Sequence, residues 1–259
     1  MTAAPPAAHE RPAEGSSGTL FVCAGPIGNL EDLTARTLRI LGEVQVVACE
    51  DTRRTRILLG HHHLQPRLLS YHEHNRREAI PRILASLHEG SDVALLTDAG
   101  TPGISDPGAE LVAAAFDQGI RVVPLPGPSA VTTALSVAGF SASRFTFEGF
   151  LPRKSGERRR AIEHLRDDER TVVFFETPHR LASSLQDLAE VLGGERRVLV
   201  ARELTKVYEE TIQTTLSEAA AIFEARRPRG EFTLVIEGAA RRKRTREARE
   251  RYKDREGGE

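Results

Sequence analysis

Short apolar runs recur along the chain, and each stops in Gly, Pro, Asp or Asn. "TLFVCAG" (19–25) and "VQVVACE" (44–50) predict two strands. Between them Asn29, with Asp32 three residues on, predicts an N-cap and a helix through Leu41. "LLSYH" (68–72), a helix near 76–89 and the strand "DVALLTD" (92–98) follow. Asp106 is then expected to cap a helix with Leu111, Val112, Ala115 and Phe116 on its apolar face, ended by Gly119. "IRVVPLPG" (120–127) and "SAVTTALSVAG" (129–139) give one more strand and helix. Strands separated by helices imply a mostly parallel sheet.

The pattern changes in the second half. "RFTFEGF" (144–150) and "TVVFFET" (171–177) predict strands, and Leu181, Leu185, Leu188 and Leu192 repeat at helical spacing. "RVLVARELT" (197–205), "YEETIQTTL" (208–216) and "GEFTLVIEG" (230–238) are β-like, with a helix near 217–226. Successive strands with no helix between them predict a mixed sheet. The expected organisation is a disordered leader (1–18), an α/β domain (19–127), a second α/β domain (128–240) and a charged tail (241–259). That tail carries nine Lys/Arg against five Asp/Glu and no apolar face.

Composition narrows the class of protein. With 39% hydrophobic and 28% charged residues, the 259-residue chain suits a globular protein. Its net charge of −1 demands no polyanionic partner, so any such case rests on local clusters. Cys23 and Cys49 both lie in strand-like runs and read as buried reduced thiols. No apolar run reaches the ~20 residues of a membrane helix, and the N-terminal segment has no hydrophobic signal region. A cytoplasmic protein is expected, with no membrane partner.

Three loops share one design: a strand ends, Gly and Pro follow, and a helix begins. They are "CAGPIGNL" (23–30), "DAGTPGISDPG" (98–108) and "PLPGPSAV" (124–131). In open α/β sheets ligands lie outside the carboxyl ends of strands, where such loops gather. Neither G-x-G-x-x-G nor G-x-x-x-x-G-K-[ST] occurs, which argues against a P-loop nucleotide. The middle loop has no Lys or Arg and begins at Asp98, so it suits a cationic or neutral ligand better than a phosphate. A nucleoside sulfonium is one such ligand, and residue types alone do not single it out.

The set "GPIGNLEDLTAR", "CEDTRRT", "HEHNRR", "LLTDAGTPGISDPG", "PLPGPSA", "EGFLPRK", "FFETPHR" and "ARELTK" resembles one family. That family is the bacterial small-subunit ribosomal RNA (cytidine-2′-O)-methyltransferases I, a branch of the tetrapyrrole methylase-like superfamily. The resemblance runs from about Thr19 to Gly238. It implies two α/β domains with S-adenosyl-L-methionine in a cleft between them, and a homodimer. It further implies cofactor contacts at Gly25 and Pro26, at Gly100, Thr101 and Ile104, and at Ser129 and Ala130. In the second domain the implied contacts are Phe150, Leu151, Leu204, Phe232 and Thr233, where Phe-Thr replaces the superfamily's common Pro-Ala pair.

The implied reaction is 2′-O-methylation of a cytidine in the decoding region of 16S ribosomal RNA, on the 30S subunit. Lys154, Glu176 and Glu203 are candidates for handling the hydroxyl proton. Lys206, His72 and His74 lie in motif segments too, and Glu176 and Glu203 could instead pair with Arg180 or Arg202. For RNA the expected contacts are Arg53, Arg54 and Arg76, then Arg153, Lys154, Arg158, Arg159 and Arg160, with Leu151-Pro152 as a hinge for that last segment. No metal is expected, because the adjacent His61, His62 and His63 have no accompanying ligand pattern. Two other readings stand beside this one. A tetrapyrrole C-methyltransferase would want a G-D-P-type loop and more aromatic surface, and a non-catalytic RNA-binding protein would show decayed loops.

Overall fold

The computed structural model describes residues 17–226 and 228–240. Residues 1–16 of the expected leader (1–18) and the tail (241–259) lie outside the described residues. The chain forms two compact units, one comprising residues up to Thr133 plus Glu203–Glu209, the other Ala134–Arg202 with the residues from Glu210 onward.

The first unit is a five-stranded, wholly parallel sheet. Its strands are β1 (Leu20–Cys23), β2 (Val46–Cys49), β3 (Arg67–Ser70), β4 (Val93–Leu96) and β5 (Val122–Leu125), in the order β3-β2-β4-β1-β5. The helices α1 (Ala35–Glu43), α2 (Thr52–His61), α3 (Arg76–His88) and α4 (Ala109–Asp117) connect them. Side chains alternate along each strand, so the sheet feeds two cores. Phe21, Cys23, Ala94 and Leu96 pack with Ile40, Leu41, Leu58 and Leu59 of α1 and α2. Leu20, Val93 and Leu95 pack with Ile83, Leu87 and Leu111 of α3 and α4 on the other face. Burial on both faces is why these strands read as unbroken apolar runs. Both cysteines are free and buried, and desolvation pushes the Cys23 thiol up to about 12.

Two helix starts differ from the sequence reading. Asn29 does accept from the Glu31 N–H (3.1 Å), but it caps only a 3-10 turn, Leu30–Asp32. Leu33 is then extended, and Thr34 caps α1 by accepting from the Thr37 N–H at 3.1 Å. Asp106 does not cap α4. That helix starts at Ala109, after Gly108, with no side-chain cap. Its apolar stripe is also narrower than expected: Leu111 and Ala115 are buried, whereas Phe116 is exposed.

After α5 (Ala130–Val137), the second unit carries β6 (Phe145–Phe150), α6 (Ser155–Glu163), β7 (Thr171–Glu176), α7 (Leu181–Leu192) and β8 (Arg197–Arg202). It closes with β9 (Glu210–Thr215), α8 (Leu216–Ala225) and β10 (Phe232–Ile236). The sheet order is β6-β7-β10-β8-β9. Only β6 and β7 run parallel, and the other pairs are antiparallel, so the sheet is mixed as the adjacent strand signals predict. Its core joins Ile162 of α6, the leucines of α7 and Phe223 of α8 to Phe174, Val200 and Leu234. A capping box at Thr215 and Glu218 starts α8 directly from the end of β9.

Candidate cofactor and active site

Adjacent strands β4, β1 and β5 deliver the three Gly/Pro loops to the same end of the first sheet. The loops are tied together by main chain. Gly25 donates to the Gly100 carbonyl at 2.8 Å, and Gly100 donates back to Gly25 at 3.1 Å. The Thr97 hydroxyl also donates to the Gly100 carbonyl (3.1 Å), and the Thr101 hydroxyl donates to the Pro128 carbonyl (3.4 Å). The approach leaves no room for side chains. A Cβ on Gly25 would stand 2.7 Å from the Thr97 carbonyl oxygen, and one on Gly127 would stand 2.8 Å from the Ala24 Cβ. Gly100 and Gly103 have φ of 73° and 82°, and Ser105 holds φ 61° without being glycine, a strained conformation of the kind that gathers at ligand sites.

The segment Glu203–Glu209 returns to this unit and lies over the first loop. A Cβ on Gly28 would sit 2.3 Å from Lys206 Cγ and 3.1 Å from the Leu204 carbonyl. Glu203 (φ 50°) and Thr205 (φ 66°) are both left-handed here, and Lys206 Nζ bonds Glu203 at 2.9 Å. Glu203 therefore pairs with Lys206, and Arg202 lies 3.7 Å from Glu210. The structure thus brings Gly25, Pro26, Gly100, Thr101, Glu203 and Leu204 into one neighbourhood, with Ser129 and Ala130 at the start of α5 directly after Pro128. Ile104 is exposed on the middle loop.

The second-unit residues behave differently from one another. Phe150 is exposed, with its ring edge-on to Phe175 at 5.7 Å. Leu151 and Phe232 turn their side chains into the unit's own core, where Phe232 meets Phe223 at 5.8 Å. Any ligand contact at these two is left to main chain. Thr233, next along β10, points to the opposite face. Leu151-Pro152 is not a free hinge, because Arg180 donates to the Leu151 carbonyl and the Leu151 side chain is buried.

Glu176 is a correction to the list of proton acceptors. Its side chain is fully buried, accepts from the Ser184 hydroxyl (2.6 Å) and the Thr177 N–H (2.8 Å), and pairs with Arg180 at 3.3 Å. A carboxylate so enclosed ties β7 to α7 and has no route to a substrate proton. Lys154 is exposed and pairs with Glu157 at 3.3 Å. Arg158 is a second correction. It is 3% exposed, and its guanidinium grips the buried Asp187 at 2.5 Å, so it cannot meet a phosphate. Arg159 divides between Asp187 and Glu190. Arg153, Lys154 and Arg160 remain on the surface. In the first unit Arg53 pairs with Asp51, Arg54 with Asp98 and Arg76 with Glu110 through exposed side chains.

Sequence reading overlooked Glu50, the residue after β2. Its Oε1 is buried without a hydrogen-bond partner. Burial, then the charges of Asp106 and Asp98, push its carboxyl up to about 7, against a smaller opposing pull from Arg54. The signal was available in principle, since Glu50 and Asp98 end strands that prove to be neighbours. A raised carboxyl pKa means that the folded state holds a proton the unfolded chain releases. Stability is therefore lost as pH rises from the unfolded value through about 7. Glu50→Gln is expected to raise stability above pH 7 by about 1 kcal/mol after allowing for partial exposure, or about 2–4 °C in Tm. The gain should vanish near pH 4.5, and thermal melts at pH 8 and pH 5 measure it.

One unit built on a parallel sheet with Gly/Pro loops gathered at its carboxyl end, and one built on a mixed sheet, make a two-unit α/β protein. A family model described as tetrapyrrole (corrin/porphyrin) methylases matches residues 19–220. Proteins named ribosomal RNA small subunit methyltransferase I match over most of the chain. The one from Thermotoga maritima is 48% identical over 221 residues, covering 85% of this chain and 99% of that protein. The Synechocystis relative is 48% identical over 222 residues, covering 86% and 80%. Among solved structures, a cobalt precorrin-4 methyltransferase superposes with a TM-score of 0.63 at 17% identity, covering 85% of this chain and 94% of that one. A uroporphyrin-III C-methyltransferase from Thermus thermophilus, complexed with S-adenosyl homocysteine, gives 0.61 at 20%, covering 84% and 97%. The chain belongs to the tetrapyrrole methylase family, within its branch of ribosomal RNA small subunit methyltransferase I proteins.

Proposed function

We propose that the protein transfers a methyl group from S-adenosylmethionine to the ribose 2′-oxygen of a cytidine in the decoding region of 16S ribosomal RNA, on the 30S subunit. The observation that carries this reading is the 48% identity to ribosomal RNA methyltransferases across nearly the whole of a relative's length. A cytoplasmic homodimer is part of the same proposal. Among the described residues no helix is long and apolar enough to cross a membrane.

The loop residues fit the cofactor. They offer main-chain groups, the Thr101 and Ser129 hydroxyls and no basic side chain, a donor set suited to a zwitterionic sulfonium and poorly suited to a phosphate. When bound, the cofactor supplies an electrophilic methyl on sulfur. The loops' part is alignment: Gly25, Gly100 and Thr101, locked by mutual hydrogen bonds, hold the line of attack. Transfer to the 2′-oxygen would leave S-adenosylhomocysteine and one hydroxyl proton, which a group of this chain or water would have to accept. Glu203, held beside the first loop by Lys206, is the acceptor among the original candidates that this geometry favours. Lys154 and the exposed Arg53, Arg76, Arg153 and Arg160 would contact phosphates.

Purified protein with labelled S-adenosylmethionine, given 30S subunits, free 16S RNA and a porphyrinoid in parallel, tests the proposal. Label on a cytidine 2′-oxygen in 30S, mapped by nuclease digestion and mass spectrometry, is the expected result. Label confined to the porphyrinoid would overturn it.

A further inference from the structure

Beside the bridged loops of the first unit lies a cavity of about 200 Å3. Its apolar lining is Pro26, Leu30, Leu58 and Leu96, and its polar lining is Thr97, Asp98 and Arg54. Pro26 and Thr97 adjoin the Gly25–Gly100 bridge, so the cavity borders the loops assigned above to the methyl donor. Its volume is below the ~300–1,000 Å3 of pockets for drug-sized ligands. That volume is on the scale of a single-ring base and well short of a macrocycle. Leu96 and Leu58 are buried at its floor, whereas Ile57, also in the lining, is 73% exposed. Ile57 stands on α2 among Arg53, Arg54 and Arg56, so the opening is an apolar spot within a cationic stretch.

We infer that this cavity receives the pyrimidine ring of the target nucleotide, with Asp98 and Arg54 reading its edge. The inference rests on the RNA reading above. Enzymes that act on a nucleotide within structured nucleic acid commonly hold the extruded base between apolar side chains and read its edge with hydrogen bonds. The carboxylate of Asp98 accepts only. It takes the Asp51 N–H at 3.2 Å on Oδ1 and Arg54 at 3.0 Å on Oδ2, which leaves further lone pairs. A carboxylate acceptor matches the exocyclic amine of cytosine and opposes the carbonyl that uracil carries at the same position. Arg54 supplies donors for the ring nitrogen and carbonyl of the same edge. Asp98 would thus be a specificity residue, selecting cytidine over uridine.

The test uses the full-length protein, labelled S-adenosylmethionine and 30S particles carrying either cytidine or uridine at the mapped position. Wild type is expected to prefer cytidine on the order of 100-fold, and Asp98→Asn to bring that ratio below about 10, both measured at saturating S-adenosylmethionine. Ile57→Glu, at an exposed site that leaves the fold intact, is expected to raise KM for 30S at least 10-fold with KM for S-adenosylmethionine unchanged. It keeps the test decisive if Asp98→Asn melts early. An unchanged cytidine/uridine ratio in Asp98→Asn, a loss of cofactor affinity in Ile57→Glu, or a normal 30S KM in Ile57→Glu would each overturn the inference. Wild type that labels no RNA at all would instead overturn the functional proposal beneath it.

Discussion

Replacing Asp187 with alanine is expected to destabilise the second unit by about 3–5 kcal/mol, the usual cost of leaving a buried charge without its partner. The Asp187 carboxylate lies on the buried stripe of α7 and is 3% exposed. It accepts from Arg158 Nε at 2.6 Å, Arg159 Nε at 2.6 Å and the Ser155 hydroxyl at 3.1 Å, which fastens α6 to α7. Alanine would leave the buried Arg158 guanidinium with only the Arg153 and Ser183 carbonyls as partners and no counter-charge. A combined Arg158→Met, Asp187→Leu variant should recover most of the loss, because no buried charge then remains. The pH dependence gives an independent check. Burial pushes the Asp187 carboxyl up, but the hydrogen bonds from Arg159, Arg158 and Ser155 outweigh it and hold the pKa below the ordinary carboxylate value. The contribution is therefore fully present above the unfolded value and lost as pH falls through the folded one. Urea unfolding at pH 7 and pH 3 should show a gap between wild type and Asp187→Ala that narrows on acidification. Equal stability of the two proteins at pH 7 would refute the assignment.

The second large effect is on activity. Gly25→Ala is expected to weaken S-adenosylmethionine binding at least 30-fold and to lower turnover by about 100-fold, the scale of a 1 Å misalignment. The added Cβ meets a main-chain oxygen, that of Thr97, at 2.7 Å, so no side-chain rotation relieves it. Relief requires shifting the first loop away from Thr97 and Gly100, which separates the two loops that carry five of the proposed cofactor contacts. Gly60→Ala is the control, since a Cβ there meets nothing within 4 Å. It should leave affinity unchanged. Calorimetric titration of both variants measures the difference, and wild-type affinity in Gly25→Ala would show that the bridged loops do not hold the methyl donor.

Much of the site was legible along the chain because its information is local. A strand that ends in Gly and Pro before a helix announces a loop at a sheet's carboxyl edge, and three such loops within one α/β pattern announce their convergence. The bridge between Gly25 and Gly100 pairs two of these loops by main chain, and position 25 needs glycine because a Cβ there would stand 2.7 Å from the Thr97 carbonyl oxygen. Charged residues were read less well. Arg158 looked like one more cation in "RKSGERRR", yet it shares the inner face of α6 with Ile162, four residues on. The clue was a carboxylate at 187 on the buried stripe of the leucine-rich α7, which requires a cation opposite. For Glu176 the pairing with Arg180 was one of the two readings the motif allowed and is the one the structure shows, whereas the Ser184 hydroxyl that completes its enclosure comes from the following helix.

The sequence by itself determined the element types, the parallel first sheet, the mixed second sheet and the position of the three loops. Those depend on periodicity and on Gly and Pro, whose effects act within a few residues. Only the tertiary structure decided that β1 lies between β4 and β5, that Glu203–Glu209 returns over the first loop, and that Glu50 shares its surroundings with Asp98 and Asp106. It also decided which arginines face solvent and which face a buried carboxylate. These outcomes depend on burial and on partners as far apart as Arg158 and Asp187. The pKa of a carboxyl and the availability of a guanidinium are set by that surrounding dielectric and charge, which the order of residues along the chain does not display.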